Sequence, residues 1–170
     1  MQESFIRQIE TNKGIILKIS RSFCRSKADQ EDLCQEILFR LWKGLPRYDP
    51  AYAFTTWMYR VALNVAISWY RQSKKKAGTV PLAETLVEAT EDGYPLEDAH
   101  SPMVLLQKHV AALKELEKAL MLLYFEEKSY REIAEIMGIT ETNVATKVSR
   151  IKEKLKQAIL NDKNLVYGRP

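Results

Sequence analysis

Between Ser129 and Ile151 the chain carries a pattern that few folds other than a helix-turn-helix accommodate. Ser129 is a helix N-cap candidate. Ile133 and Met137 fall on an inward face, with the small Ala134 where two helices must cross closely. Gly138 stands where the turn needs a positive φ, and Ile139 plugs it. Thr140 is positioned to cap a second helix whose Val144, Val148, Ile151 and Leu155 share one stripe. The opposite face then holds Thr142, Asn143, Thr146, Lys147, Ser149 and Arg150. Such side chains suit base edges and phosphates in a major groove. A plain helical hairpin with a solvated basic face remains the competing reading.

The rest of the chain is consistent with a small helical protein. Of its 170 residues, 46% are hydrophobic and 28% charged, which supports a real core. No apolar run approaches the ~18 residues needed to span a bilayer. The start, Met1-Gln2-Glu3, lacks a basic patch and apolar stretch, so a signal peptide is not expected and the expected location is cytoplasmic. Cys24 and Cys34 lie among apolar helical neighbours and read as reduced core thiols. They share no metal-ligand spacing with His100 or His109, so no metal or other cofactor is expected. His100 falls in a linker and His109 on a helix surface or edge.

The net charge of +4 is mild, but its distribution is uneven. Arg71, Lys74, Lys75 and Lys76 form a compact positive block. Glu84, Glu88, Glu91, Asp92, Glu97 and Asp98 follow with no Lys or Arg between them, and the end is basic again. Two basic modules joined by an acidic tether follow from that pattern.

Helical spacing recurs upstream. A first segment from about Ser4 to Cys24 places Phe5, Ile9, Ile16 and Phe23 together, with Gly14 as a possible break. A second helix, with Asp29 as expected N-cap and Asp32 three residues on, carries Leu33, Ile37 and Leu41 on its core stripe, widened by Cys34, Leu38 and Trp42. Residues 44–53 read as a loop. A long third helix from about Phe54 to Gln72 is expected to bury Met58, Val61, Val65 and Trp69. Its polar stripe is Thr56, Arg60, Asn64, Ser68 and Arg71.

The segments from Asp29 to Trp42 and from Phe54 to Arg71 resemble region two of RNA polymerase sigma factors, and the helix-turn-helix stands where region four belongs. This two-region layout resembles the extracytoplasmic-function (ECF) group. The resemblance implies an all-α fold of two small helical domains: region two over residues 1–73, an acidic flexible linker over 74–102, region four over 103–161 and a tail over 162–170. It implies a non-enzymatic alternative sigma factor, held inactive by an anti-sigma factor, that directs core RNA polymerase to promoters and helps open them. Its partners would be core polymerase, duplex and melted promoter DNA and the anti-sigma factor, with no membrane contact of its own. Core polymerase binding is thereby assigned to Asp32, Gln35, Glu36 and Phe39, whose acidic, partly apolar face suits a basic coiled coil. Minus-ten recognition is assigned to Tyr48, Phe54, Trp57, Arg60, Asn64 and Arg71: a flipped base needs an aromatic pocket, polar groups and cations. The loop near Tyr48, Asp49, Tyr52 and Phe54 is expected to supply that pocket. Trp57 and Trp69, aromatics at helical spacing, read more readily as core than as base platforms. Minus-thirty-five recognition falls to Thr142, Asn143, Thr146, Lys147, Ser149 and Arg150.

Departures from the family bear on specificity. Trp57-Met58 stands where housekeeping sigmas have two adjacent tryptophans, implying weaker intrinsic melting. Ser68 replaces a frequent Asp, Lys147 a frequent Arg and Ala145 a frequent basic residue, so minus-thirty-five preference does not transfer from relatives. Two other classes compete. A simple repressor or activator would need a dimerisation element or ligand pocket upstream. A nuclease or metalloprotein would need a phosphate loop, a His-Glu-x-x-His or a nucleophile beside a base, and none is found.

Overall fold

The computed structural model describes residues 2–77 and 101–168. Among them the regular structure is helical: α1 (Gln2–Phe23), α2 (Lys27–Gly44), a 3₁₀ turn (Leu45–Arg47), α3 (Phe54–Ala77), α4 (Pro102–Ala111), α5 (Glu115–Phe125), α6 (Tyr130–Met137) and α7 (Glu141–Tyr167). The expected linker falls largely outside the described residues.

The first three helices pack on one another. Gly14 does not break α1: a side chain there would meet open space, while Ile16 and Ile19 are buried and hold the helix to its neighbours. The N-cap of α2 is Ser26 rather than Asp29. Its hydroxyl accepts from the Asp29 N–H at 3.1 Å, because Lys27 and Ala28 are good helix formers and extend the helix backwards. The buried stripe of α2 is Leu33, Ile37 and Leu41, as its spacing predicts, but of the residues expected to widen it Cys34 is half-buried and Leu38 and Trp42 are exposed.

The buried face of α3 is rotated from the expected one. Met58 is buried, but Val61, Val65 and Trp69 are only half-buried, and the core is formed by Tyr59, Ala62, Leu63, Ala66 and Ile67. Thr56, expected on the polar stripe, is buried as well. The reason is that α3 has neighbours on more than one side: α1 and α2, and also α5 and α6. The small Ala62 and Ala66 allow close helix approach. The helix also outruns its expected end at Gln72, continuing through Lys74, Lys75 and Lys76 to Ala77.

In the second unit, the α6–α7 junction follows its sequence pattern. Ser129 and Glu132 form a capping box, with the Ser129 N–H donating to Glu132 Oε2 at 2.8 Å and the Glu132 N–H to Ser129 Oγ at 3.1 Å. These bonds hold the Glu132 carboxyl below its ordinary value. Gly138 has φ 70°, and its N–H and that of Ile139 both close on the Ala134 carbonyl. Thr140 caps α7 through the Asn143 N–H at 3.1 Å. Val144, Val148, Ile151 and Leu155 are all buried. Ile136, rather than Met137, joins Ile133 in the core, and Met137 is half-buried at the rim. The buried side chains of both units form one contiguous cluster.

Candidate nucleic-acid interface

The outer face of α7 begins at its N-terminus, where the chain turns out of Gly138. Thr142, Asn143, Thr146, Lys147, Ser149 and Arg150 are all exposed on it, and Ala145 is half-buried. The Thr146 hydroxyl bonds back to the Thr142 carbonyl at 3.0 Å, which orients that side chain along the helix. Every residue of the expected recognition face is thus presented together, as the inner valine stripe dictates.

A second face forms where the loop after α2 meets the start of α3. Tyr48, Phe54 and Trp57 pack mutually, with ring centroids 5.2–5.6 Å apart. Phe5 of α1 meets both Phe54 and Trp42, so the cluster is anchored in the core. Gly44 packs closely beside it: a Cβ there would lie 3.3 Å from Trp57 Cζ2, so the ring would have to yield by a few tenths of an ångström. The Tyr48 hydroxyl donates to the Tyr52 carbonyl at 2.8 Å, and an Asx turn from Asp49 to the Ala51 N–H shapes the loop. These aromatics therefore close on one another instead of lining an empty slot. Tyr52 is different: it is 43% exposed, and the Arg60 guanidinium lies 5.6 Å from its ring centre. Sequence spacing did not reveal this pair, because a loop residue and a helix residue meet only once the loop folds back. Asn64 and Ser68 are exposed further along α3. Arg71 stands apart, roughly 16 Å beyond Arg60 at 1.5 Å per residue. Its Nε donates to Glu115 Oε1 of α5 at 2.8 Å.

The third face lies on α2. Asp32, Gln35 and Phe39 are exposed and Glu36 is half-buried. Glu36 accepts from Arg40 Nε at 2.7 Å, one turn on, and Lys43 lies over the Phe39 ring. The stripe is less acidic than its composition suggests. It is also more apolar, because Leu38, Phe39 and Trp42 are 41%, 55% and 47% exposed. Both thiols are free. Cys34 lies 3.2 Å from Ser20 Oγ, and burial pushes the Cys24 thiol up to about 11, so it stays protonated. His109 bonds to Asp162 of α7 at 2.9 Å and ties α4 to that helix. No metal-binding cluster occurs among the described residues, and no helix there is long and apolar enough to cross a membrane.

These faces coincide with known sequence regions. Residues 8–76 match the model of sigma-70 region 2, and residues 103–155 that of sigma-70 region 4. The RNA polymerase sigma factor YlaC of Bacillus subtilis is 30% identical over 132 residues, covering 75% of each chain. The chain belongs to the sigma-70 family, in its ECF group. The ECF sigma factor SigW of Bacillus subtilis is 27% identical over 169 residues, covering 93% of this sigma factor and 90% of SigW. The fold is likewise that of two solved structures. CnrH, solved in complex with the cytosolic domain of CnrY, aligns over 95% of this chain and 91% of its own with a TM-score of 0.67 at 18% identity. RpoE of Bartonella quintana, solved with the anti-sigma factor NepR, covers 92% and 97% with a TM-score of 0.69 at 17% identity.

Proposed function

We propose that this ECF sigma factor docks on core RNA polymerase through the α2 face, reads the minus-thirty-five element with α7, and binds the melted minus-ten strand at the Tyr52–Arg60 end of α3. The observation that carries this reading is the presence of both regions in one chain, each presenting an exposed polar face on a buried apolar stripe. On α2, Asp32, Gln35, Glu36 and Phe39 supply a mixed acidic and apolar surface for a basic helical partner. On α3, Tyr52 offers a stacking face, while Arg60 and Asn64 offer a cation and an amide for backbone and base edge. Tyr48, Phe54 and Trp57 hold that end rigid. On α7, Lys147 and Arg150 suit phosphate or guanine, and Asn143 suits adenine. The protein acts as an initiation factor with no chemistry of its own, in the cytoplasm where polymerase works, and is restrained by an anti-sigma factor.

Run-off transcription with purified core polymerase on a genomic promoter library tests this. Defined start sites that depend on the added protein are expected. A gel shift separates it from a repressor: tight binding to a duplex operator by the protein alone, with no gain from core polymerase, would overturn the reading.

A further inference from the structure

The outer face of α7 has an order that its composition hides. The buried stripe of Val144, Val148, Ile151 and Leu155 fixes the direction opposite to it. At ~100° per residue, Thr142 and Thr146 both fall within ~30° of that outward direction. Asn143 lies ~70° to one side and Lys147 ~110° to the same side. Ala145, on the other side, is half-buried and carries only a methyl group. Ser149 and Arg150 straddle the outward line, and Arg150 stands ~12 Å further along the helix than Thr142. The next residue on the line itself is Glu153, which is exposed and accepts from Gln157 Nε2 at 2.9 Å. A carboxylate there repels DNA phosphate, so the reading face ends before it.

Recognition helices meet base edges chiefly with their N-terminal residues. In α7 the centre of that stretch is uncharged. The Thr146 hydroxyl donates to the Thr142 carbonyl at 3.0 Å. This bond spends its one O–H, so Thr146 has no proton to give to guanine O6 or N7. It presents instead a methyl group and an acceptor oxygen. A threonine methyl suits the C5-methyl of thymine. Asn143 is exposed on a turn fixed by its backbone N–H, which the Thr140 cap holds at 3.1 Å. Its amide suits the N6 and N7 edge of adenine. Lys147 extends along the flank, where the phosphates bordering a groove lie, and there it positions the helix without reading sequence.

We infer that the first two turns of α7 read adjacent A·T pairs, with the Thr146 methyl against a thymine methyl and Asn143 on an adenine, and that they do not read guanine. The inference deepens the sigma-factor reading above and rests on it. The face from Thr142 to Arg150 is ~12 Å long, the rise of roughly three to four base pairs. The minus-thirty-five element is thus A·T-selective where α7 enters the groove, and any guanine contact falls at the Arg150 end.

In vitro selection by the reconstituted holoenzyme tests this, on duplexes randomised over the minus-thirty-five element of a promoter from which the protein initiates. At least two adjacent, strongly selected A·T pairs are expected, and a consensus without them would overturn the inference. The thymines of that element are then replaced one at a time by deoxyuridine, which lacks only the C5-methyl. Wild-type holoenzyme should bind one such duplex roughly fourfold more weakly, the worth of about one methyl group removed from water. Thr146→Ser deletes the side-chain methyl and keeps the hydroxyl, so it should no longer distinguish thymine from uracil at that position. Thr146→Val keeps a methyl and loses the hydroxyl, so it should retain the distinction. Asn143→Ala should relax the neighbouring adenine preference roughly tenfold. All three substitutions are at exposed positions, and circular dichroism should show unchanged helical content. Equal binding of thymine and uracil at every position by wild type would mean that A·T pairs are selected by DNA shape, and would sink the inference. So would a full uracil penalty persisting in Thr146→Ser. A holoenzyme that initiates but selects G·C pairs overturns this inference alone, whereas failure to initiate from any promoter overturns the sigma-factor reading itself.

Discussion

Phe39 and Arg60 illustrate how a single side chain acquires a role from its surroundings. Phe39 is exposed on a helix whose core stripe is already filled, with the Lys43 ammonium over its ring. An exposed aromatic beside Leu38 and Trp42 is the kind of anchor that dominates binding energy at interfaces. Phe39→Ala is therefore expected to weaken core polymerase binding by ~1–2 kcal/mol, and Asp32→Arg with Glu36→Arg to weaken it further by placing positive charge toward a basic partner. In the double variant residue 36 also loses its pair with Arg40. Fluorescence anisotropy of labelled chain titrated with core measures both, and affinities equal to wild type would remove the α2 face from the interface. For Arg60→Ala and Asn64→Ala the expected defect lies in promoter opening rather than in the closed complex. Stacking and backbone contacts of this kind are worth ~1–3 kcal/mol per base. Permanganate reactivity of unpaired thymines in the minus-ten region should fall, while gel-shift occupancy before melting holds.

Among the elements, α6 and α7 are the most fully specified by local chemistry. The Ser129–Glu132 box, the left-handed Gly138 and the Thr140 cap each act within four residues of sequence, so their geometry needs no distant partner. Ser129→Ala is expected to lower the stability of this unit by ~1 kcal/mol. Because hydrogen bonds to Ser129 hold the Glu132 carboxyl below its ordinary value of 4.5, the cap contributes fully above that pH. Its contribution is lost as pH falls through the lowered folded value. Glu132→Gln should accordingly flatten the acid limb of a thermal-melt series below the ordinary carboxyl value of 4.5. An acid limb as steep as wild type would mean that other carboxylates govern it. On α7 the two faces separate cleanly. Val148→Asp buries an unpaired charge and should unfold the unit. Arg150→Ala should leave it folded and reduce binding of the minus-thirty-five element by the reconstituted holoenzyme. A phosphate contact would lower the salt slope by about one unit for all sequences, whereas a base contact would cost ~1–3 kcal/mol at one position. Circular dichroism melting alongside promoter binding separates the variants.

For the whole molecule, the continuous core across the seam has a thermodynamic consequence. Leu113, Ala119 and Leu120 near Lys118 are buried in the same cluster as Leu63 and Ile67, so the two regions are expected to melt together. Differential scanning calorimetry of the wild type should give one transition, and Lys118→Glu, which buries a carboxylate against the Phe23 and Tyr70 rings, should split it into two, since the regions then unfold independently. Two transitions already present in wild type would show the regions to be energetically separate. Exposed pairs such as Lys18–Glu126 contribute little each. The coupling therefore depends mainly on the apolar seam and Lys118.

Much of this protein was legible in its sequence wherever the decisive interaction is local or periodic. The turn at Gly138, the caps at Ser129 and Thr140, the stripe from Val144 to Leu155 and that of Leu33, Ile37 and Leu41 all follow from helical spacing and backbone stereochemistry. Sequence alone likewise placed Thr142, Asn143, Thr146, Lys147, Ser149 and Arg150 on one exposed face, because a buried stripe fixes its opposite. Spacing failed on α3, where it pointed to Val61, Val65 and Trp69 as core. That helix is covered by α5 and α6 as well as by α1 and α2, and a stripe read for one neighbour cannot show a second. The Tyr52–Arg60 pair, the Arg71–Glu115 bond and the burial of Lys118 between Phe23 and Tyr70 were decided only by tertiary packing. In each, the partners come from different elements. A lysine in sequence reads as solvated, because only a folded seam can withdraw its water and offer aromatic faces in exchange.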